Sequence, residues 1–414
     1  MKWKQVLRMG MLGLGCLGMA ACGTTKKVEP RIEEIYAQTH IAPSGQTLDK
    51  IVYKLNTIDS NSKFTKDDFK VVVTNTIVDW NTKEETVSEV SATIEKVTVE
   101  DNSLILDLAN LPYKTITDIT VEGQDDFYNS TFKDYKIMTK TVDDFKKATF
   151  KDSHGTELTY WLYIPKTQKN VPLVIWEHGG GEVLASSFEG SNLVASQGAT
   201  AWIENGYKTA VLSVQYPENY SFGISEISDE MKKMGAFNTA KYELVQSLIK
   251  DGVVNKNMVY VTGASSGGGG ALRFVMQYPD LFAGALVVSA KDTIVPISKK
   301  YDLAYQLDDP AKLKITDQQY AETYAAMETE LAKYPDTIEV PIWFVHAKND
   351  QVTTSYTSIM MEDILKKMGA KKNKITLYSD EEMEKGGVHS IYHGSWQLAY
   401  QDKDMLDWLM SLEN

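Results

Sequence analysis

A small all-β sandwich followed by an α/β unit on a mostly parallel sheet is what this 414-residue sequence predicts, on three observations. Short β-like runs separated by turn residues fill the chain from residue 31 to about 140. After about residue 152, continuous apolar runs alternate with helix-like stretches. Inside that second region, VYVTGASSGGGGALRF (259–274) passes from an apolar strand through small residues into a helical pattern.

The chain opens MKWKQVLRMGMLGLGCLGMAACGTTKK, with Lys2, Lys4 and Arg8 ahead of a Gly/Leu/Met stretch too short to span a bilayer, then small residues before Cys22. Residues 1–21 are therefore expected to be a secretory signal. Met19-Ala20-Ala21-Cys22 resembles the lipobox of bacterial lipoproteins, which implies that Cys22 is the lipidated first residue of an extracytoplasmic chain anchored to the cell membrane. Cys16 leaves with the signal, so no thiol remains for a disulfide or for cysteine catalysis. Formal charge is −13, and loss of Lys2, Lys4 and Arg8 takes it to −16, which disfavours nucleic acid as a partner. Roughly 390 residues then remain, more than one core usually organises, so two domains are expected.

Residues 22–30, containing the polar GTTKKVEP, read as a tether. Residues 31–142 form the first domain, with strands expected in DKIVYKL, FKVVVTNTIVDW, SATIEKVTVE, SLILDL, TITDITVEG and YKIMTK. His40 is the only histidine of this region and reads as structural. Residues 143–414 form the second domain, with strands LTYWLYIP, VPLVIWEHG, TAVLSVQYP, NMVYVTGAS, GALVVSA and VPIWFVHAK. Between them run NTAKYELVQSLIKDG and TSIMMEDILKKMGA, a pattern that means a parallel sheet covered on both faces. ITDQQYAETYAAMETELAKYP adds a helix with Thr316 as N-cap, expected to cover the C-terminal edge of the sheet.

The glycine-rich turn fits a nucleophile better than a phosphate. Ala271 and Leu272 follow Gly270 where a phosphate loop needs Lys and Ser or Thr. A dinucleotide fingerprint needs an early βαβ unit and a downstream acid, and here the downstream LVVSA is apolar. Gly263-Ala264-Ser265-Ser266-Gly267 is a G-x-S-x-G in a strand-turn-helix setting, the nucleophile elbow of α/β-hydrolases. Ser266 competes for the nucleophile's role, but only Ser265 has Gly at both −2 and +2.

A serine hydroxyl needs a base, an acid that orients the base, and donors for the oxyanion. The order Ser, acid, His leaves His346, His389 and His393 after the elbow. His346 ends a strand just before the acid candidate and is expected to be committed locally, so the base is His389 or His393. Asp350 in HAKNDQVT follows that strand and is the acid; the alternative is a loop Asp capping a helix that begins near Thr353. His178-Gly179-Gly180-Gly181 closes another strand, and its Gly180 N–H with the N–H of Ser266 would form the oxyanion hole.

VPLVIWEHGGGE, VYVTGASSGGGGALRFVMQYPDLFAGALVVSA, PIWFVHAKNDQV and HGSWQLAYQDKDMLDWLM together resemble bacterial α/β-hydrolase esterases of the prolyl oligopeptidase-like and feruloyl esterase-like group, in particular those with an N-terminal immunoglobulin-like domain. In that group the His of an H-x-S-W block is the base, which corresponds to His393. Glu177 stands where the group usually has an apolar residue, and Gly267 to Gly270 where it often has a single Gly-x-Gly. The resemblance implies hydrolysis of short-chain or aryl carboxylic esters through an acyl-enzyme, polysaccharide-linked esters being among the candidates. It further implies Gln215 and Trp396 as pocket residues, and neither metal nor cofactor. A prolyl oligopeptidase-type peptidase and a non-catalytic surface-binding lipoprotein are the rival readings.

Cys22→Ala is expected to abolish lipid attachment without changing the catalytic rate of the purified protein. Metabolic labelling with a palmitate analogue checks this, and wild-type protein that takes up no label refutes it.

Overall fold

The computed structural model describes residues 28–414 apart from 60–61, 79–83, 114, 167–168, 184–190, 217–226, 292–293, 296, 302, 304–313 and 390. The signal, Cys22 and most of the tether lie outside the described residues.

The first nine strands are β1 (Ile32–Ala42), β2 (Gly45–Leu55), β3 (Phe69–Val78), β4 (Glu85–Ala92), β5 (Ile94–Glu100), β6 (Ser103–Pro112), β7 (Ile116–Gly123), β8 (Ser130–Thr131) and β9 (Tyr135–Thr139). They form a five-stranded sheet, β5-β6-β2-β1-β9, and a four-stranded sheet, β4-β3-β7-β8. Alternate residues of both sheets, among them Ile51, Tyr53, Val71, Val73, Leu104, Leu106, Ile119 and Val121, close one apolar core. The hydroxyl of Tyr53 is satisfied inside it by Tyr128 O at 2.8 Å and Ser130 Oγ at 2.6 Å. The sequence reading misses β1, because IEEIYAQTHIA carries charged and polar residues on its outer face, and most of β4, whose last two residues it runs into β5 across Thr93.

Eight further strands make a third sheet: β10 (Lys146–Lys151), β11 (Glu157–Tyr163), β12 (Val171–Glu177), β13 (Ala210–Val214), β14 (Val254–Ala264), β15 (Gly284–Val288), β16 (Ile342–Ala347) and β17 (Lys374–Tyr378). Their order is β10-β11-β13-β12-β14-β15-β16-β17. β11 pairs antiparallel with both neighbours, and every pairing from β13 to β17 is parallel. The two edge strands, KKATFK and KITLY, have no continuous apolar run, which is why the sequence reading finds six strands and not eight.

Among the described residues, ten α-helices connect and flank these strands. α1 (Gly180–Val183) and α2 (Gln197–Glu204) lie between β12 and β13, α3 (Ile227–Lys250) before β14 and α4 (Ser266–Gln277) after it. α5 (Ile297–Lys300) and α6 (Asp317–Leu331) precede β16, and α7 (Tyr356–Met368) precedes β17. α8 (Asp380–Lys385), α9 (Trp396–Ala399) and α10 (Lys403–Met410) follow. Thr316 caps α6 through Gln319 N–H at 3.2 Å, as its sequence predicts. α6 docks on α7: Tyr324 Oη donates to Asp363 at 2.6 Å, and the Tyr320 ring meets Tyr356 edge-on.

Parity along the strands separates the two apolar layers. Leu173, Ile175, Val259 and Val261 face the layer of α3, α4, α6 and α7, while Val174, Trp176 and Tyr260 face the layer of α2, α9 and α10. This is the α/β-hydrolase fold. The second layer also takes in Ile41 from β1 and the connecting residues Val142 and Phe145.

Trp202 is fully buried in that layer and donates its indole N–H to Gly198 O at 2.8 Å. Trp202→Ala is expected to cost about 3–5 kcal/mol of stability, measured by denaturant unfolding. A loss below about 1 kcal/mol would mean that the layer refills without it.

Candidate active site

Ser265 lies between β14 and α4 at φ 57° and ψ −122°, a strained backbone for any residue but glycine. Three backbone hydrogen bonds hold it there: its N–H donates to Val288 O at 3.1 Å, and its carbonyl accepts from Gly269 N–H at 3.2 Å and Lys291 N–H at 2.9 Å. A Cβ on Gly263 would fall 2.2 Å from Gly267 O, and one on Gly267 would fall 1.9 Å from Glu177 O. Gly263 is therefore imposed by the turn folding back on Gly267, and Gly267 by the close passage of β12 over the turn.

His393 stands in a short 3₁₀ turn, Tyr392–Gly394, whose position is fixed by Ser289 Oγ–H donating to His393 O at 2.9 Å. In the tautomer that satisfies both ring contacts, Nε2 accepts from Ser265 Oγ–H at 2.8 Å and Nδ1–H donates to Asp350 Oδ2 at 2.7 Å. The Trp396 ring meets the imidazole edge-on, with centroids 5.1 Å apart. His389, by contrast, is exposed and pairs with Glu384. The structure thus brings Ser265, His393 and Asp350 together, and leaves His389 outside.

Asp350 is fully buried, and its carboxylate receives two backbone N–H groups and the His393 imidazole. Oδ1 accepts the N–H groups of Val352 (2.8 Å) and Thr353 (2.9 Å), while Oδ2 faces His393 and also His346 Nε2 at 3.2 Å. One oxygen binds the turn ahead of α7, whose N-cap is Ser355 and not Asp350, and the other faces His393. His346 is committed locally as its position suggests, to Ser358 Oγ at 2.8 Å through Nδ1, yet its other nitrogen reaches the acid. Burial by itself would push the Asp350 carboxyl up. The charge of His393 and the hydrogen bonds from His346 and His393 outweigh burial and hold it well below the usual carboxylate range. Such a depressed carboxyl stabilises the fold fully above its ordinary range, and that contribution is lost only as pH falls through the lower folded value.

The turn after β12 stands beside the nucleophile: a Cβ on Gly179 would lie 3.9 Å from Ser265 Cβ and 3.0 Å from Glu182 Oε2. Gly180 opens α1, and Ser266 is the first residue of α4, so its N–H points out of that helix's N-terminus. His178 is buried and locks the turn, with Nδ1–H donating to Gly179 O at 2.9 Å and Nε2 accepting from Tyr216 N–H at 3.0 Å. Burial drives its pKa down, against the opposing pull of Glu182, and it serves as a neutral brace. Gln215 is part of the same brace, donating to Glu182 O and Tyr216 O at 3.3 Å each.

The sequence reading misses a buried ion pair beneath this turn, between Glu177 and Lys241, each 1% exposed. Two signals were available for it. Glu177 continues the parity of Leu173 and Ile175 into the α3 layer, and Lys241 sits on the apolar face of α3 between Phe237 and Leu244.

His393→Ala is expected to lower kcat by several orders of magnitude and His389→Ala by less than about threefold, measured on any turned-over substrate, because one imidazole must reach both Ser265 and Asp350. The reverse order would refute the geometry.

No curated protein sequence matches the chain significantly. A crystal structure of a thermostable esterase aligns at TM-score 0.66 with 22% identity, covering 92% of this chain and 100% of that one, and so shares the fold. The acylaminoacyl peptidase of Pyrococcus horikoshii aligns over 92% of this chain and 63% of its own at 14% identity and TM-score 0.43. A ferulic acid esterase aligns over 64% and 97% at 13% identity and TM-score 0.37. Residues 202–412 match the model of the prolyl oligopeptidase family. With its α/β-hydrolase fold and that match across half its length, the chain is a serine hydrolase belonging to the prolyl oligopeptidase family.

Proposed function

We propose that the protein is an extracytoplasmic, lipid-anchored serine esterase that hydrolyses short-chain or aryl carboxylic esters. The observation that carries the catalytic part is the hydrogen-bonded chain from Ser265 Oγ through His393 to Asp350, on an elbow strained at Ser265. His393 Nε2 takes the Ser265 proton as Oγ attacks the ester carbonyl, and the imidazolium that forms is stabilised by ionised Asp350. The N–H groups of Gly180 and Ser266 receive the oxyanion. His393 then returns the proton to the leaving alcohol, and water, deprotonated by the same imidazole, releases the acid and restores Ser265. The anchor rests on the lipobox-like sequence before Cys22. The N-terminal sandwich is read as immunoglobulin-like, on its two-sheet packing around one core.

One observation favours a peptidase as the second reading. Glu182 holds a carboxylate beside Gly179, where it would receive an amino terminus.

Ser265→Ala is expected to abolish turnover and labelling by a fluorophosphonate probe while leaving unfolding unchanged. The two readings separate on kcat/KM for acetyl, butyryl and palmitoyl p-nitrophenyl esters and a Gly-Pro anilide. Preference for the acetyl or butyryl ester is expected, and a preference for the anilide or the palmitoyl ester would overturn the esterase reading.

A further inference from the structure

Four elements meet around one buried charge pair directly behind the nucleophile. Glu177 is the last residue of β12, and its backbone lies against both glycines that flank Ser265: its carbonyl oxygen against Gly267, its Cβ 2.9 Å from a Cβ built on Gly263. Its carboxylate runs into the α3 layer and pairs with the Lys241 ammonium. That ammonium also donates to Tyr216 Oη at 3.3 Å and lies 4.2 Å from the centre of the Phe274 ring on α4. Tyr216 closes the circuit. Its backbone N–H holds His178 Nε2, and its hydroxyl lies 2.8 Å from where a Cβ on Gly270 would stand.

We infer that Glu177 and Lys241 are a positioning pair for the oxyanion turn: their attraction sets the height of the His178-Gly179-Gly180 backbone over Ser265. This rests on the reading of Ser265 as nucleophile and Gly180 as oxyanion donor. The physical case is an asymmetry. An ion pair with both partners out of water is a poor source of stability, since apolar residues of like volume serve as well or better. Burial also pulls the Lys241 ammonium toward its neutral form, an effect that Glu177 opposes. What a short charged contact supplies and an apolar pair does not is a fixed distance and direction between β12 and α3. The next three residues after Glu177 carry the turn. A backbone donor displaced by a fraction of an ångström loses much of its effect on a transition state and little of its effect on ground-state binding.

The test uses the full-length protein and a short-chain p-nitrophenyl ester. The double variant Glu177→Leu/Lys241→Met removes both charges and keeps the volume, and Lys241→Arg keeps the charge but changes its reach. Both are expected to lower kcat about 10-fold to 100-fold, with KM within about twofold, and to weaken a boronic acid that mimics the tetrahedral intermediate by the same factor. Lys241→Arg decides the matter if the double variant does not fold. Either variant, folded and within twofold of wild type in kcat and in boronate affinity, overturns the positioning role. Parallel losses in kcat and in unfolding midpoint, with boronate affinity unchanged, overturn it as well. Wild-type protein that turns over no ester and takes up no fluorophosphonate refutes the reading of the site, a result distinct from either of these.

Discussion

The passage of the β12 terminus across the nucleophile turn is the constraint on which the site depends. With Glu177 O occupying the space where Gly267 would carry a Cβ, the two crossing segments are as close as backbones come. The closeness brings the glycine turn after His178 alongside the Ser265 side chain, while the positive φ of Ser265 itself is held by Val288, Gly269 and Lys291. A strand end that diverged here would leave a serine with a base and nothing to receive the charge it generates.

The acid side is built on a different principle. Asp350 has no solvent to stabilise it and instead receives two backbone N–H groups and the His393 imidazole, with His346 Nε2 3.2 Å from the same Oδ2. Contacts on both oxygens fix the orientation of the carboxylate, and with it that of the imidazole it holds. His346 is the less visible half of this arrangement, since it touches no reacting atom and yet shares Oδ2 with the base.

Much of this is legible in the residues. The elbow announces itself because its glycines are demanded by sterics that no other residue meets, and Asp350 because it ends an apolar strand in the right order. His389 and His393 are equivalent in chain order; the resemblance of the H-x-S-W block points to His393, and the fold sets the two apart, one exposed against Glu384 and the other beneath Trp396. β1, β10 and β17 escape notice since an edge or half-exposed strand need not be apolar. The Glu177–Lys241 pair escapes for the opposite reason: each residue taken singly looks like a surface charge, and only strand parity and helix face considered jointly point them at one another.

Ile41, Val142 and Phe145 belong by sequence to the β-rich part of the chain and its exit, yet they are buried in the same layer as Trp161 and Trp202. The catalytic unit therefore has a back wall partly made of its predecessor's residues. Modularity is limited to that extent: a chain begun at residue 143 would expose an apolar scar on the side away from the α3 layer, and a foreign N-terminal module could stand in only by supplying side chains of matching shape. What looks like an appended decoration is, along this seam, part of the hydrolase's own interior.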